Sequence, residues 1–154
     1  MSDAIERAAL RLREAGEKHS PSAPIRDLIP PTDVASAYAV QEINTKYWLG
    51  RGRKLVGRKI GLTAVAVQKQ LGVDQPDFGL LFDDMLVAET HAIPAAELMQ
   101  PKVEAEIAIV LKKPLTKAPH SVADIADATD YACAAIEIFG SRIANWDIKL
   151  ADTV

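Results

Sequence analysis

Three glutamates occupy unusual positions in apolar stretches of the chain. The stretch "QPKVEAEIAIV" (100–110) carries Glu104 and Glu106, and "ACAAIEIFG" (132–140) carries Glu137. Alternate residues of a β-strand share a face, so Glu104 and Glu106 point the same way, about 7 Å apart. A buried carboxylate is costly unless it is neutralised, paired or bound to a metal. Because an all-oxygen ligand set suits Mg²⁺ or Mn²⁺ better than zinc, these residues predict a divalent metal site.

The alternative is a half-exposed strand whose solvent side carries the charges. Two patterns favour the metal. The glutamate face of the first stretch continues with the apolar residues Ala108 and Val110, and its opposite face is apolar throughout. Since a strand that is apolar on both sides is usually covered on both sides, we expect the glutamates at a buried or cleft position.

A lysine between glycines is the second candidate. In "VGRKIGLT" (56–63), Lys59 shares its strand face with Gly57 and Gly61. Glycine in a strand often marks the close approach of a ligand or of another backbone. Lys59 could therefore bind an anion or move a proton. The alternative is a surface lysine beside glycines that allow the sheet to bend.

An aspartate lies in a turn-like segment. In "VDQPDFG" (73–79), Asp77 follows Pro76, and the composition is typical of a turn. Asp77 is a turn residue unless the fold brings it close to Lys59, in which case it becomes an acid/base candidate.

The sequence predicts the helices and strands that would position these candidate residues. Helical spacing predicts a helix over 3–18, capped by Asp3, and a second from a Thr32 cap to about Leu49. Strand patterns follow in "KLVGRKIGLT", "LLFDDMLVA", "KVEAEIAIVL" and "YACAAIEIF", with a helix capped by Ser121 before the last. The sequence thus predicts an α+β fold, with a helical region over 1–50 and a mixed β-sheet with exposed edges over 51–154.

Charge and cysteine content restrict the function classes. The 154 residues hold 18 basic and 21 acidic side chains, with no block of like charge, which argues against nucleic-acid or membrane-surface binding. Cys133 is the sole cysteine, so there is no disulfide framework. The charged opening and the absence of a long apolar run predict a cytoplasmic protein.

Five segments together resemble the 2-hydroxypenta-2,4-dienoate hydratase (2-keto-4-pentenoate hydratase) family, which belongs with the fumarylacetoacetate hydrolase-like proteins. They occur in the family's order and are "ASAYAVQEIN", "VGRKIGLT", "QLGVDQPDFG", "QPKVEAEIAIVL" and "EIFGSRIANWDIKLADTV". The resemblance implies that the sheet is part of a fumarylacetoacetate hydrolase-like β-roll. It also implies that residues 51–154 are the N-terminal part of a metal-binding catalytic domain.

The resemblance implies roles for particular residues. Glu104, Glu106 and Glu137 would be ligands of Mg²⁺ or Mn²⁺, and Lys59 and Asp77 would lie in the active site. The adjoining Leu62 and Thr63 would contact the substrate.

The implied reaction is hydration of 2-hydroxypenta-2,4-dienoate to 4-hydroxy-2-oxopentanoate in meta-cleavage degradation of aromatic compounds. Alternatives are a 2-oxo-acid decarboxylase of the 4-oxalocrotonate type and a C–C hydrolase of the same superfamily. Family members continue beyond the position of Val154, so the sheet is expected to be incomplete here. That leaves open an inactive, truncated interaction module. The expected partners are the small-molecule substrate, further copies of the chain and other enzymes of the pathway.

Overall fold

The structure is a computed structural model that describes residues 2–116 and 118–154, with the backbone alone at position 71. The described elements are α1 (Asp3–Glu17), α2 (Val34–Gly50), β1 (Leu55–Gly61), α3 (Val65–Leu71), β2 (Asp77–Phe82), β3 (Lys102–Leu111), α4 (Val122–Ala128), β4 (Thr129–Phe139) and α5 (Leu150–Thr153). The predicted α+β class is confirmed, and the four described strands form two antiparallel pairs, β1–β2 and β3–β4. Among the described helices, none is both long enough and apolar enough to cross a membrane.

Contacts divide the chain into two units. The first runs to Gln100 and resumes over Ser141–Val154, and the second is Pro101–Gly140. The predicted boundary between a helical region over 1–50 and a catalytic domain over 51–154 is a different division, and it stays a prediction.

The core of the first unit lies between α1 and α2. Small side chains at Ala8 and Ala9 of α1 and at Ala37 of α2 are fully buried, which lets the helices approach closely. Ile25 and Ile29, from the proline-rich connector, complete this core. Packing of these apolar side chains holds the two helices together.

The predicted helix caps are wrong by one position each. Ser2 precedes α1 without a side-chain cap hydrogen bond, so Asp3 lies inside the helix. Asp33, not Thr32, caps α2, because its carboxylate accepts from the Ser36 backbone N–H at 3.0 Å. Ser, Thr and Asp are all good N-cap residues. Which of two neighbouring residues caps the helix depends on the backbone conformation where the chain enters the helix.

Side chains of α2 bind strand β2. The Tyr38 hydroxyl accepts from the Phe78 backbone N–H at 3.0 Å, and the Gln41 amide donates to the Phe78 carbonyl at 2.9 Å. The prediction that Asp77 lies in a turn is wrong, because Asp77 is the first residue of β2 and pairs with Gly61 of β1. Strand pairing here overrides the local turn preference of "QPD".

Gln100 joins the two points at which the chain passes between the units. Its side-chain amide donates to the carbonyls of Ser141 (2.9 Å) and Ile143 (2.8 Å) and accepts from the Asn145 N–H (2.8 Å). Its own carbonyl accepts from the Trp146 indole at 3.1 Å. We call this set of four hydrogen bonds the Gln100 clamp. It binds the residue just before the "PKVEAE" segment to the loop that follows β4.

The second unit is an antiparallel pair with one helix. The predicted strand "KVEAEIAIVL" is confirmed as β3, and α4 begins with the predicted capping box between Ser121 and Asp124. Helix α4 packs against β4. The register runs from Lys102 opposite Phe139 to Leu111 opposite Thr129.

Candidate metal centre

The register of β3 and β4 brings the three predicted glutamates together. Glu104 lies directly opposite Glu137, and Glu106 is two residues further along the same face of β3. Each glutamate offers one carboxylate oxygen, and these three oxygens lie within 4.8 Å of one another. The three glutamates, which are separated in the sequence, therefore form a single cluster in the second unit.

Repulsion among the three carboxylates opposes their clustering, and a divalent cation would offset it. Like charges directly opposite each other on an antiparallel pair destabilise it. Two unit charges 4 Å apart repel by about 1 kcal/mol even in bulk water, and by more near a protein surface. A solvent-facing sheet would avoid that cost by pairing Glu104 with a residue of opposite charge, whereas its partner is Glu137.

The donor set fits a hard divalent ion. Carboxylate oxygens are the ligands that Mg²⁺ takes, at about 2.1 Å, so oxygens bound to one ion would lie closer together than 4.8 Å. Rotation of the flexible glutamate side chains would bring the three oxygens onto one ion. Small residues surround the cluster, since Ala135 faces Glu106 and Cys133 faces Ala108. A ligand thus has room above the carboxylates.

The expected burial of the glutamates is wrong for the described chain. Glu104 and Glu106 are exposed and Glu137 is half-buried. The strands that carry them form a two-stranded sheet, and α4 is the one described helix in their unit. Glu104 and Glu106 therefore do not occupy the buried position that a strand apolar on both sides predicts.

Lys59 and Asp77 share a face of the β1–β2 pair. Lys59 lies opposite Gly79, and Asp77 opposite Gly61, so the two side chains are diagonal neighbours. Both are half-buried. Asp77 therefore lies close to Lys59 within the first unit. This proximity is the condition under which Asp77 becomes an acid/base candidate.

Each of these side chains lies across a glycine. A Cβ added at Gly79 would stand 2.7 Å from Lys59 Cγ, and one added at Gly61 would overlap Asp77 Oδ1. By contrast, a Cβ at Gly57 would meet Leu81 Cδ1 at 3.5 Å, an ordinary contact. Gly61 and Gly79 therefore provide the space that the two candidate catalytic side chains occupy.

Leu62 and Thr63 form the link that follows β1. Leu62 has a φ of 56°, a left-handed conformation that is uncommon for a leucine. Its carbonyl accepts a hydrogen bond from the Gln68 side chain of α3 at 2.6 Å. Non-glycine residues held in this region persist only where the surroundings fix them, and they cluster at ligand sites. Their predicted contact with substrate stays a prediction.

Sequence reasoning missed the residues that position the candidates. Tyr38 and Gln41 hold Phe78, the neighbour of Asp77, and the Gln100 clamp holds the chain four residues before Glu104. The available signal was their presence in "ASAYAVQEIN" and "QPKVEAEIAIVL", two of the segments that carry the resemblance.

Comparison with known proteins agrees with the resemblance. The chain is 57% identical over 151 residues to a 2-keto-4-pentenoate hydratase of Dechloromonas aromatica, covering 98% of this chain and 58% of the relative. It is 54% identical over 151 residues to the TodF product hydratase of Pseudomonas putida, covering 98% and 56%. No model of a known protein family matches the chain.

A solved structure shares the fold. The 4-oxalocrotonate decarboxylase from Pseudomonas putida G7, complexed with magnesium and adipate, superposes with a TM-score of 0.88 at 30% identity. The match covers 97% of this chain and 57% of the decarboxylase chain.

The chain spans between 55% and 60% of the length of the curated relatives that it matches. Within that span the identity to the named hydratases is 43% to 57%, above the 30% to the decarboxylase. The chain is thus similar to named 2-keto-4-pentenoate hydratases over nearly all of its own length and over less than two thirds of theirs.

Proposed function

We propose that the protein takes part in the divalent-metal-dependent hydration of 2-hydroxypenta-2,4-dienoate, or a close homologue, to 4-hydroxy-2-oxopentanoate. The observation that carries the proposal is the convergence of Glu104, Glu106 and Glu137 in a chain more than 50% identical to named hydratases. The reaction adds one water and changes no oxidation state overall, so it needs acid/base groups and charge stabilisation but no redox cofactor.

The three glutamates would hold the ion. Bound there, Mg²⁺ would act as a Lewis acid toward the substrate's carboxylate and 2-oxygen. The magnesium in the solved decarboxylase supports that choice, and Mn²⁺, which takes similar oxygen ligands, is the second candidate. Glu104 and Glu106 come from one strand and Glu137 from its partner, so the β3–β4 register alone fixes their spacing.

Lys59 and Asp77 would move the protons of the same reaction. Ketonisation removes the proton of the 2-hydroxyl and adds one to the far carbon, and hydration then adds the hydroxyl of water at C4 and a proton at C3. An ammonium can donate and a carboxylate can accept, so the pair offers both an acid and a base for these transfers. Their diagonal placement on one strand pair, each beside a glycine, supports joint action. Leu62 and Thr63 would then line the substrate site.

The second candidate is decarboxylation of a 2-oxo acid. The observation that favours it is the structural match to 4-oxalocrotonate decarboxylase. The higher identity to hydratases makes hydration the preferred proposal. A cytoplasmic location, a homo-oligomer and a complex with pathway enzymes stay predictions.

An absorbance assay tests the proposal. The protein is mixed with Mg²⁺ and 2-hydroxypenta-2,4-dienoate, and a hydratase relative is run in parallel as the positive control. We expect the dienoate's ultraviolet absorbance to disappear and the product mass to correspond to one added water. In a second arm with 4-oxalocrotonate as substrate, released CO₂ would identify the decarboxylase instead. Stable absorbance with both substrates and every divalent ion tried, while the relative is active on the dienoate, would reject both candidates.

A further inference from the structure

The glutamate cluster depends on the register of β3 against β4. A shift of two residues would keep every side chain on its own face, because alternate residues of a strand share a face. It would move Glu137 away from Glu104 and set it opposite another residue of β3. That residue would be Lys102 for a shift in one direction and Glu106 for a shift in the other. Since the first shift exchanges a pair of like charges for a pair of opposite charges, electrostatics alone do not select the observed register.

The end of the strand pair nearest α4 leaves the register loosely defined. A tight hairpin turn fixes the register of its two strands. Here the strands are joined through residues 112–128, which include α4, and the pairing is irregular between Val110 and Leu111. A long connection and an irregular ladder can absorb a shift. The other end of the pair is therefore the place at which a contact can select the register.

Gln100 lies at the next position of the observed register. Regular pairing begins with Lys102 opposite Phe139, and Gln100 and Ser141 lie two residues further out on each side. Pro101 has no N–H and cannot extend the ladder. The Gln100 side chain supplies a bond there instead, because its amide donates to the Ser141 carbonyl at 2.9 Å. The Gln100 clamp thus continues the register beyond the last regular pair.

The segment that accepts these bonds is itself fixed within the first unit. Ile143 is buried and forms a β-bridge with Ser22, whose backbone N–H donates to the Arg142 carbonyl at 2.8 Å. The buried Ser141 hydroxyl donates to the Ile143 carbonyl and accepts from the Ile143 N–H, both at 3.0 Å. Gln100 therefore binds a segment whose position does not depend on the strand pair.

Strained backbone marks both sides of the clamp. The φ angle is 51° at Gln100, 58° at Asn145 and 56° at Trp146, all in the left-handed region that side chains disfavour. The clamp joins these same residues, since Gln100 accepts hydrogen bonds from the Asn145 N–H and from the Trp146 indole. Such conformations persist only where the surroundings fix them, and they cluster at functional sites. The strain indicates that the placement of Gln100 matters to function.

We propose that Gln100 is a positioning residue that sets the register of β3 against β4 and so places Glu104 opposite Glu137. It acts through the strand that begins two residues later in the chain. Its effect on metal binding rests on the proposed function, whereas its effect on the register does not.

Disulfide cross-linking reads the register without a metal. Facing residues of an antiparallel pair have Cα atoms about 4.5–5.5 Å apart, a distance that a disulfide spans. Ala108→Cys sets a second thiol directly opposite the exposed Cys133. Val110→Cys is the matched reporter, because it lies diagonal to Cys133 at about 7–8 Å, which a disulfide does not span. Under mild oxidation the first should cross-link at least tenfold faster than the second.

Loss of the clamp should remove this preference. In Gln100→Ala the ratio of the two cross-linking rates should fall below threefold. Gln100→Glu keeps the size and one accepting oxygen but loses both donated hydrogen bonds, so it should give the same result if the alanine variant does not fold. Ile29→Ala is the matched control, because it truncates a buried side chain of the first unit that takes no part in the clamp. It should keep the tenfold preference.

Mg²⁺ affinity, measured by calorimetry, is the second readout. It should fall at least fivefold in Gln100→Glu and change less than twofold in Ile29→Ala. A cross-linking preference that survives in both Gln100 variants would overturn the proposal, as would an equal loss of preference in Ile29→Ala. Unchanged Mg²⁺ affinity in Gln100→Glu would also overturn it. Because the cross-linking requires no ion, a native chain that binds no Mg²⁺ would reject the metal site while the register result still stands.

Discussion

Gly79→Ala should separate stability from catalysis. The added Cβ would stand 2.7 Å from Lys59 Cγ and 3.1 Å from Cδ, whereas carbon atoms are most comfortable at about 3.5 to 4.0 Å. The Lys59 side chain must therefore move by roughly 1 Å, because the backbone of the paired strands is held by the ladder.

The two effects on stability nearly cancel. Replacing glycine by alanine in a strand stabilises by about 0.5–1 kcal/mol. Forcing Lys59 away from its preferred rotamer costs about 0.5–1.5 kcal/mol. The free energy of unfolding, measured by urea denaturation, should thus change by less than about 1 kcal/mol.

Catalysis should change far more. A 1 Å displacement of a catalytic group can cost about 100-fold in rate, so we expect dienoate hydration to slow by about 10- to 100-fold. Loss of ultraviolet absorbance at saturating Mg²⁺ gives the rate. NMR of Lys59 labelled by reductive [¹³C]methylation gives a second reading that does not depend on turnover, and its signal should shift in Gly79→Ala.

Gly57→Ala is the matched control on the same face. Its Cβ would meet only Leu81, at 3.5 Å, so rate and Lys59 signal should match those of the native protein within twofold. The reasoning is refuted if Gly79→Ala keeps the native rate and the native Lys59 signal, or if Gly57→Ala is equally impaired.

Three further predictions concern the residues that support the site. Gln100→Ala removes three side-chain hydrogen bonds of 2.8–2.9 Å, each worth about 1 kcal/mol. The free energy of unfolding, measured in urea, should fall by about 2–4 kcal/mol. A loss below about 0.5 kcal/mol would show that the clamp is not formed. Tyr38→Phe removes the acceptor of the Phe78 N–H, so the hydration rate should fall several-fold while stability falls by only about 1 kcal/mol; an unchanged rate would contradict the positioning role. The Ser36 backbone N–H and hydroxyl hold the pKa of Asp33 below its usual value, so its stabilisation is present above the unfolded pKa of about 4 and is lost as pH falls through the folded pKa. Asp33→Asn should therefore make the melting temperature less dependent on pH below about pH 5, and an unchanged pH dependence would argue against this.

Local patterns predicted the elements and contacts that depend on neighbouring residues. The strand "KVEAEIAIVL" and the Ser121–Asp124 capping box are local features, and both were predicted correctly. The glutamate cluster needed one further condition, a register that sets Glu104 opposite Glu137, and periodicity within each strand could not supply it.

Features that depend on residues distant in the sequence could not be predicted from local sequence patterns. The Gln100 clamp joins residues 41 to 46 positions apart, and a single glutamine carries no signal for such bonds. Asp77 has turn chemistry on its N-terminal side, and pairing with β1 makes it a strand residue. The expected burial of Glu104 came from a rule about covered strands, which cannot say whether the covering layer lies in the same stretch of chain.

Mg²⁺ binding measured by isothermal titration calorimetry tests the central claim most directly, because it needs neither substrate nor turnover. The account predicts one ion per chain, with the affinity lowered at least tenfold in each of Glu104→Gln, Glu106→Gln and Glu137→Gln. Glu89→Gln, which changes an exposed glutamate in the other unit, should leave it unchanged. Absence of saturable binding to the native chain, or equal affinity in all four variants, would contradict the claim that the three carboxylates form one metal site.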